Sequence, residues 1–178
     1  MFIDLLPIII GMPTGLKQSS STVAIGFSVT ESAANTFTEG SVDLNLSPLD
    51  REVFVVTAIN LDPAEPFLVA GVNTSTDATL TTTSQTDIPS LADANCLASA
   101  KLSIRADAAS AVSFQRLVET PSANLDYLGI IATNDFFVQI QGTGNTSARA
   151  VSGKLYGYRA VASADIYAAL VQSEVLSA

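Results

Sequence analysis

Paired carboxylates are the residues of this sequence best suited to chemistry, because two of them can act as a general acid and a general base. Two such pairs lie close together in the chain, Asp50 with Glu52 and Asp62 with Glu65. Both pairs adjoin proline-containing turns, where acidic side chains commonly bond to the backbone and aid solubility. We therefore interpret them as turn residues, and the sequence predicts a protein that is not an enzyme.

The chain lacks the side chains on which most nucleophilic and metal-dependent sites depend. Its 178 residues include no histidine, no tryptophan and one cysteine. This excludes a histidine-based triad, a zinc site of His and Cys ligands, and a disulfide within the chain. Cys96 lies among small residues with no histidine to deprotonate it, so we interpret it as a packed thiol. The sequence predicts no catalytic residue, no metal ion, no cofactor and no small-molecule substrate.

The charge balance restricts the class of partner. Eight Lys and Arg residues stand against 17 Asp and Glu residues, giving a formal net charge of -9 at pH 7. Direct nucleic-acid binding is not expected, since it requires basic side chains that neutralise phosphates. With 48% hydrophobic and 14% charged residues, the composition is typical of a globular domain with a sizeable core.

Alternation of apolar and polar residues indicates β-structure along most of the chain. Val23, Ile25, Phe27 and Val29 have a period of two, which predicts a strand with one buried face. Residues 52–61 are apolar on both faces and β-branched, which predicts a central strand covered on both sides. Further predicted strands cover residues 42–46, 67–72, 78–84, 102–105 continuing into 112–118, 127–133, 136–141 and 151–161. About eight or nine strands with turn residues between them predict an all-β, antiparallel β-sandwich.

Three segments have a distinct character. Residues 78–84 are rich in Thr, whose side chain loses rotamer freedom in helices, and this favours an exposed strand. Residues 164–176 place Ile166, Leu170 and Leu176 near one side of a helix, which predicts a short C-terminal helix. Residues 91–102, with several alanines, are a candidate for a second, shorter helix within a connection.

The first twelve residues are mostly apolar but fit neither a secretory signal nor a membrane span. Asp4 and Pro7 interrupt the run, no Lys or Arg precedes it, and a span requires about 20 apolar residues. We expect this segment to remain in the mature protein, and no transmembrane segment is predicted elsewhere. The predicted organisation is an extended apolar N-terminal arm over residues 1–20, a sandwich domain over 21–162 and a helical tail over 163–178.

A chain of about nine strands without catalytic residues, with an apolar leading arm and a helical tail, resembles the single jelly-roll capsid proteins of viruses. The resemblance covers residues 21–161 and depends on strand count, Thr-rich loops and low charge content. It implies a jelly roll of two facing four-stranded sheets, with many copies tiling a shell. The implied function is that of a capsid or outer coat subunit in the virion, with copies of itself and other virion proteins as partners.

Assembly of such a subunit would need apolar contact residues beyond those that fill the sandwich core. Exposing the apolar arm to water would cost several kcal/mol at about 25 cal/mol per Å², so a neighbouring surface should cover it. An arm exchanged with an adjacent subunit and an extra edge strand packed at home both satisfy this requirement. The tail helix could likewise cover its own sandwich or cross to a neighbour. The candidate subunit contacts are Phe2, Ile3, Leu5, Leu6, Ile8, Ile9, Ile10, Ile166, Tyr167, Leu170 and Val171.

Two other classes of protein remain as alternatives. A carbohydrate-binding or adhesin-type sandwich module, extracellular or on a cell surface, would be a monomer with an exposed aromatic face. Tyr156 and Tyr158 share one strand face, with Tyr127 as a third candidate, but core or subunit packing explains them better without any tryptophan. An enzyme would depend on carboxylates or on Ser and Lys, for which no catalytic spacing is recognisable.

Overall fold

The computed structural model describes residues 13–106, 111–116 and 125–176. Within these ranges the chain forms ten β-strands, one short 3-10 turn and one α-helix. The predictions of an all-β protein and of a C-terminal helix are confirmed. The elements are β1 (Leu16–Gln18), β2 (Val23–Thr30), β3 (Thr38–Asp43), the 3-10 turn (Pro48–Asp50), β4 (Glu52–Pro63), β5 (Thr74–Thr81), β6 (Cys96–Ala106), β7 (Ala111–Arg116), β8 (Gly129–Ile131), β9 (Asp135–Thr143), β10 (Ala150–Ala162) and α1 (Ala164–Leu176).

The strands form two antiparallel sheets that pack face to face as a sandwich. In the first sheet, β10 pairs with β4 on one side, and β8 lies beyond β4. The other side of β10 pairs with β1 near its end and with β2 near its beginning, so β1 and β2 follow one another along a single edge. The second sheet has the strand order β3, β9, β5, β6, β7.

The main hydrophobic core lies between the sheets. Phe54 of β4 and Leu155 of β10 belong to the same buried cluster as Leu80 of β5 and Phe136 of β9. Phe27 of β2 meets the Phe136 ring edge to face, with ring centroids 5.7 Å apart. The period of two in the sequence thus has its usual cause, since every second side chain of a strand points into the core.

Helix α1 covers part of the outer face of the first sheet and completes a second apolar cluster. Val53 and Val55 of β4 have no exposed surface, and both belong to this outer cluster together with Leu16 of β1. Their neighbours Phe54 and Val56 point the other way, into the main core. Strand β4 is therefore buried on both faces over Val53–Val56, as predicted, whereas Ala58 and Asn60 farther along the strand are exposed.

The prediction that the Thr-rich segment forms an exposed strand is wrong, because this segment belongs to β5, which is buried. It lies between β9 and β6, and Thr76, Thr79 and Thr81 have no exposed surface. The Thr79 hydroxyl donates to Oε1 of Gln139 at 2.8 Å, and Nε2 of Gln139 donates to the Thr81 hydroxyl at 2.6 Å. Because Gln139 satisfies the hydroxyls of Thr79 and Thr81, these two threonines can be buried. The buried Thr76 hydroxyl has no hydrogen-bond partner among the described residues.

Two further local predictions are wrong. Residues 91–102 do not form a helix, because turns precede Cys96 and β6 begins there. Ala98 and Ala100 pair with β5 and pack into the main core, so tertiary pairing overrides the helix propensity of alanine. Residues 67–72 form a loop with one isolated bridge between Val69 and Val72, not a strand.

The first sheet extends into the chain segment assigned to the arm. Residues 16–18 form β1, and Leu16 is buried in the outer apolar cluster. A turn precedes it, in which the Leu16 N–H donates to the Pro13 carbonyl at 3.2 Å. Gly15 adopts φ 86°, a left-handed value that favours glycine. The chain therefore reverses direction immediately before the sandwich begins.

Candidate functional site

The carboxylates of the first candidate pair, Asp50 and Glu52, take part in turn and strand contacts, whereas Asp62 and Glu65 are exposed. Asp50 accepts a hydrogen bond from the Ser47 hydroxyl at 2.7 Å, and Glu52 accepts one from the Ser47 N–H at 3.1 Å. Glu52 also forms an ion pair with Arg159 of β10 at 3.3 Å. Among the described residues, no group of three or more His, Cys, Asp and Glu side chains is arranged to hold a metal ion.

Cys96 is buried at the start of β6. Its thiol lies 3.5 Å from the Ala98 carbonyl oxygen, to which it donates. Burial raises the pKa of the Cys96 thiol to about 11, an effect that the hydrogen bond to Ala98 partly opposes and the negative charge of Asp93 reinforces. The thiol is therefore protonated at neutral pH and fits the packing role better than that of a nucleophile.

One end of the sandwich carries the β2–β3, β4–β5 and β9–β10 connections, which a buried polar network joins. The Glu31 carboxylate accepts hydrogen bonds from the N–H groups of Gly142 and Arg149 at 2.6 and 2.7 Å. Asn145 accepts from the Phe67 N–H at 2.8 Å. The Arg149 guanidinium stacks on the Phe67 ring, 3.7 Å from its centroid. These contacts hold the three connections in a fixed arrangement.

The opposite end carries the β5–β6 connection, which folds against β3. Glu39 of β3 accepts hydrogen bonds from the Ser84 hydroxyl at 2.6 Å and from the Gln85 N–H at 2.8 Å. An open cleft of about 430 Å³ follows, lined by residues 85–89 and 93–95. Its carboxylates, Asp87 and Asp93, accept hydrogen bonds from backbone N–H groups of their own loop. Their contacts serve the loop's own structure.

The four predicted contact residues of the helix face the protein's own sheet. Ile166, Tyr167, Leu170 and Val171 are half-buried and pack on the outer apolar cluster. Their assignment as subunit contacts stays a prediction. Within the chain, these four residues already cover the first sheet. The exposed large hydrophobic residues of α1 lie at its end instead, where Val175 and Leu176 are 65% and 78% exposed.

Glu174 is the one buried residue of α1. Its carboxylate reaches the β8–β9 connection and accepts hydrogen bonds from the N–H groups of Ala132 and Thr133 at 3.0 and 2.9 Å. Burial raises the pKa of Glu174, and these hydrogen bonds oppose that shift. Sequence reasoning missed this residue, because nothing in the sequence distinguishes a carboxylate that reaches back to the sheet from one on a solvated helix face.

The three tyrosines do not form a common exposed platform. Tyr156 and Tyr158 lie on the same outer face of β10, as predicted, but Tyr158 packs on the outer apolar cluster beneath the helix. Burial, and then the charge of Asp126, raise the pKa of Tyr158. Tyr156 lies nearer the start of β10, opposite Ala24 and Ala58, and is half-buried. Tyr127 is 38% exposed. The packing of Tyr158 agrees with the interpretation of these aromatics as packing residues.

Strand β2 leaves an edge of the sandwich open. It pairs with β10 along one side, and among the described residues no strand pairs with its other side. Its inward-facing residues Ile25, Phe27 and Val29 are half-buried, and Val23 is 39% exposed. Val23–Thr30 contain no charged residue and no proline, although edge strands are usually protected by such residues, so the sequence alone does not identify β2 as an edge strand.

The predicted contact residues of the arm, Phe2, Ile3, Leu5, Leu6, Ile8, Ile9 and Ile10, lie outside the described residues. In the described part of the chain no helix has the length and apolar character needed to cross a membrane. The sequence matches no family model, no curated protein and no solved structure.

Proposed function

We propose that this protein is a structural virion protein, a capsid or outer coat subunit of jelly-roll fold that assembles with copies of itself and with other virion proteins. A shell subunit requires a rigid body with contact surfaces and needs no reactive centre. The sandwich provides such a body, with a continuous core and polar networks that fix the connections at both ends. The order in which the strands pair is the observation that carries the proposal.

The first half of the chain pairs with the second half in nested order. Strand β2 pairs with β10, β3 with β9, β4 with β8, and β5 with β6. Successive pairs belong to alternate sheets, because β2, β10, β4 and β8 form the first sheet with β1, and the others lie in the second. Rolling a long antiparallel hairpin around a core produces this order, which supports a jelly roll of eight main strands with β1 and β7 as additions.

The surfaces proposed for assembly are the open sandwich edges and the apolar N-terminal arm. The helix residues Ile166, Tyr167, Leu170 and Val171 pack on their own sheet, so a contact through the tail would use the exposed residues at its end. The net charge of -9 supports a position in which the subunit touches other proteins rather than the genome.

Light scattering after size exclusion and negative-stain electron microscopy of the purified full chain test this function. We expect regular particles, rings or sheets, and we expect their fraction to rise with ionic strength, because like-charged subunits repel until salt screens them. A monomer at every salt concentration would overturn the coat proposal. It would favour the carbohydrate-binding or adhesin-type module, for which a glycan array is the direct assay.

A further inference from the structure

The outward edge of β2 has the properties of a pairing surface. Eight consecutive residues, Val23–Thr30, are in extended conformation, and among the described residues only β10 pairs with them. The strand contains no bulge in its register with β10. Phe27 fixes it to the core through its edge-to-face contact with Phe136. A rigid strand with a free row of backbone N–H and C=O groups can be extended by another strand.

The charge distribution favours a second copy of this chain as the occupant. The protein carries a net charge of -9, so two copies repel each other overall. Strand β2 carries no charged residue, and its outward side chains include Ala24, Gly26 and Ser28, which are small and exposed. Pairing along β2 therefore places no charged side chain of this strand opposite another.

We propose that two copies pair β2 to β2 in antiparallel orientation, about a two-fold axis that passes through Gly26. This register sets Ile25 opposite Phe27 of the second copy, and Val23 opposite Val29. On the outer face it sets Ala24 opposite Ser28, so that apolar residues meet apolar residues and small residues meet small ones. This inference rests on the proposed assembly function, and it specifies which surface makes the contact between subunits.

The pairing keeps both sandwiches correctly oriented. In an antiparallel pair, directly opposed residues point to the same side of the sheet. The register joins 23 with 29 and 25 with 27, so the inward residues of both copies remain on the core side. The first sheets of two subunits then form one continuous sheet, and the half-exposed residues Ile25 and Phe27 gain apolar partners.

Gly26 fits the position on the axis. A Cβ atom built there meets nothing within 4 Å, and its φ is not in the left-handed region. A residue on the two-fold axis lies opposite the same residue of the second copy, and the two Cβ atoms are about 5 Å apart. Single cysteines on the outer face of β2 can therefore report the register. Gly26, Ala24 and Ser28 are all exposed, so such variants leave the core unchanged.

The experiment is disulfide trapping in the full chain under mild oxidation, read on non-reducing gels. We expect Gly26→Cys to form a covalent dimer. Neither Ala24→Cys nor Ser28→Cys alone should form one, because in this register each residue lies about 14 Å from the same residue of the second copy. A mixture of Ala24→Cys and Ser28→Cys chains should form the mixed dimer. The unaltered protein is the control, since its thiol at Cys96 is buried.

Dimerisation of Ala24→Cys or Ser28→Cys alone, or the absence of a Gly26→Cys dimer, would overturn the inference. A Gly26→Cys dimer that forms only after residues 1–12 are deleted would also overturn it and would identify the arm as the occupant of this edge. The proposed function fails separately. Regular particles without the Gly26→Cys crosslink would support the coat function and contradict the β2 pairing. Crosslinked dimers that never assemble further would support the β2 pairing and contradict the coat function.

Discussion

The carboxylate of Glu174, in the last turn of α1, accepts a hydrogen bond from the backbone N–H of Ala132 at 3.0 Å. Its other oxygen accepts one from the Thr133 N–H at 2.9 Å. A helix of 13 residues is marginally stable alone in water. This attachment to the β8–β9 connection therefore helps to hold α1 over Val53 and Val55, whose burial depends on it.

Replacing Glu174 by glutamine should destabilise the protein. The glutamine amide has one acceptor oxygen, so one of the two N–H groups of Ala132 and Thr133 loses its partner. Leaving a buried donor unpaired costs about 1–3 kcal/mol, which we expect as the decrease in the free energy of unfolding measured in urea. Gln172→Ala, at an exposed position of the same helix, is the control and should change it by less than about 0.5 kcal/mol. Equal effects of the two substitutions would contradict the role of Glu174.

The same carboxylate should make stability depend on pH. Burial raises the pKa of Glu174, so the folded state holds the proton more tightly than the unfolded state. This contribution is fully present below the unfolded pKa of about 4.3 and is lost as the pH rises through the folded pKa. The unfolding free energy of the unaltered protein, minus that of Glu174→Gln, should therefore fall as the pH rises over this window. A difference that increases instead would show that the hydrogen bonds outweigh burial.

The sequence predicts the elements whose residues carry their own burial pattern. The alternation of β2, the doubly apolar start of β4 and the spacing of Ile166 and Leu170 in α1 reflect faces that pack on the two apolar clusters. Leu176, the third residue of that helical spacing, is instead 78% exposed. Strand β5 and the start of β6 were mispredicted for a common reason. Thr79 can be buried because the side-chain oxygen of Gln139, 60 residues away, accepts a hydrogen bond from its hydroxyl. Ala98 belongs to a strand because β5 pairs with it. Local propensity contains no information about such partners.

The candidate assembly surface shows the same limit. The composition of β2 predicts a strand without protecting charges, but whether it lies at an edge depends on its pairing with β10, 120 or more residues later in the chain. Glu174 likewise depends on the distant Ala132 and Thr133. Sequence reasoning therefore identified strand β2 but could not predict its open edge.

Glycine substitutions should distinguish the packed and open parts of the first sheet. A Cβ at Gly153 of β10 would meet the Asn60 carbonyl oxygen and the Phe27 ring, so Gly153→Ala forces a shift of backbone and core. We expect a loss of about 1–3 kcal/mol in the free energy of unfolding. Gly26→Ala, on the neighbouring strand in open space, should be neutral within about 0.5 kcal/mol as long as the protein is monomeric. Thermal and urea unfolding of both variants at low protein concentration measure the difference, and a neutral Gly153→Ala would contradict this packing.

Deleting residues 1–12 should reduce the size of the assembly without unfolding the subunit. The deletion keeps the turn at Pro13 and the buried Leu16, so the sandwich retains β1. A triple substitution of Ile8, Ile9 and Ile10 by serine retains the length of the arm and removes much of its apolar surface, worth several kcal/mol at about 25 cal/mol per Å². If the arm docks on a neighbour, both variants shift the mass measured by light scattering to smaller species at unchanged melting temperature. If the arm packs on its own sandwich, the melting temperature falls and the mass distribution stays the same, because only the subunit loses contacts.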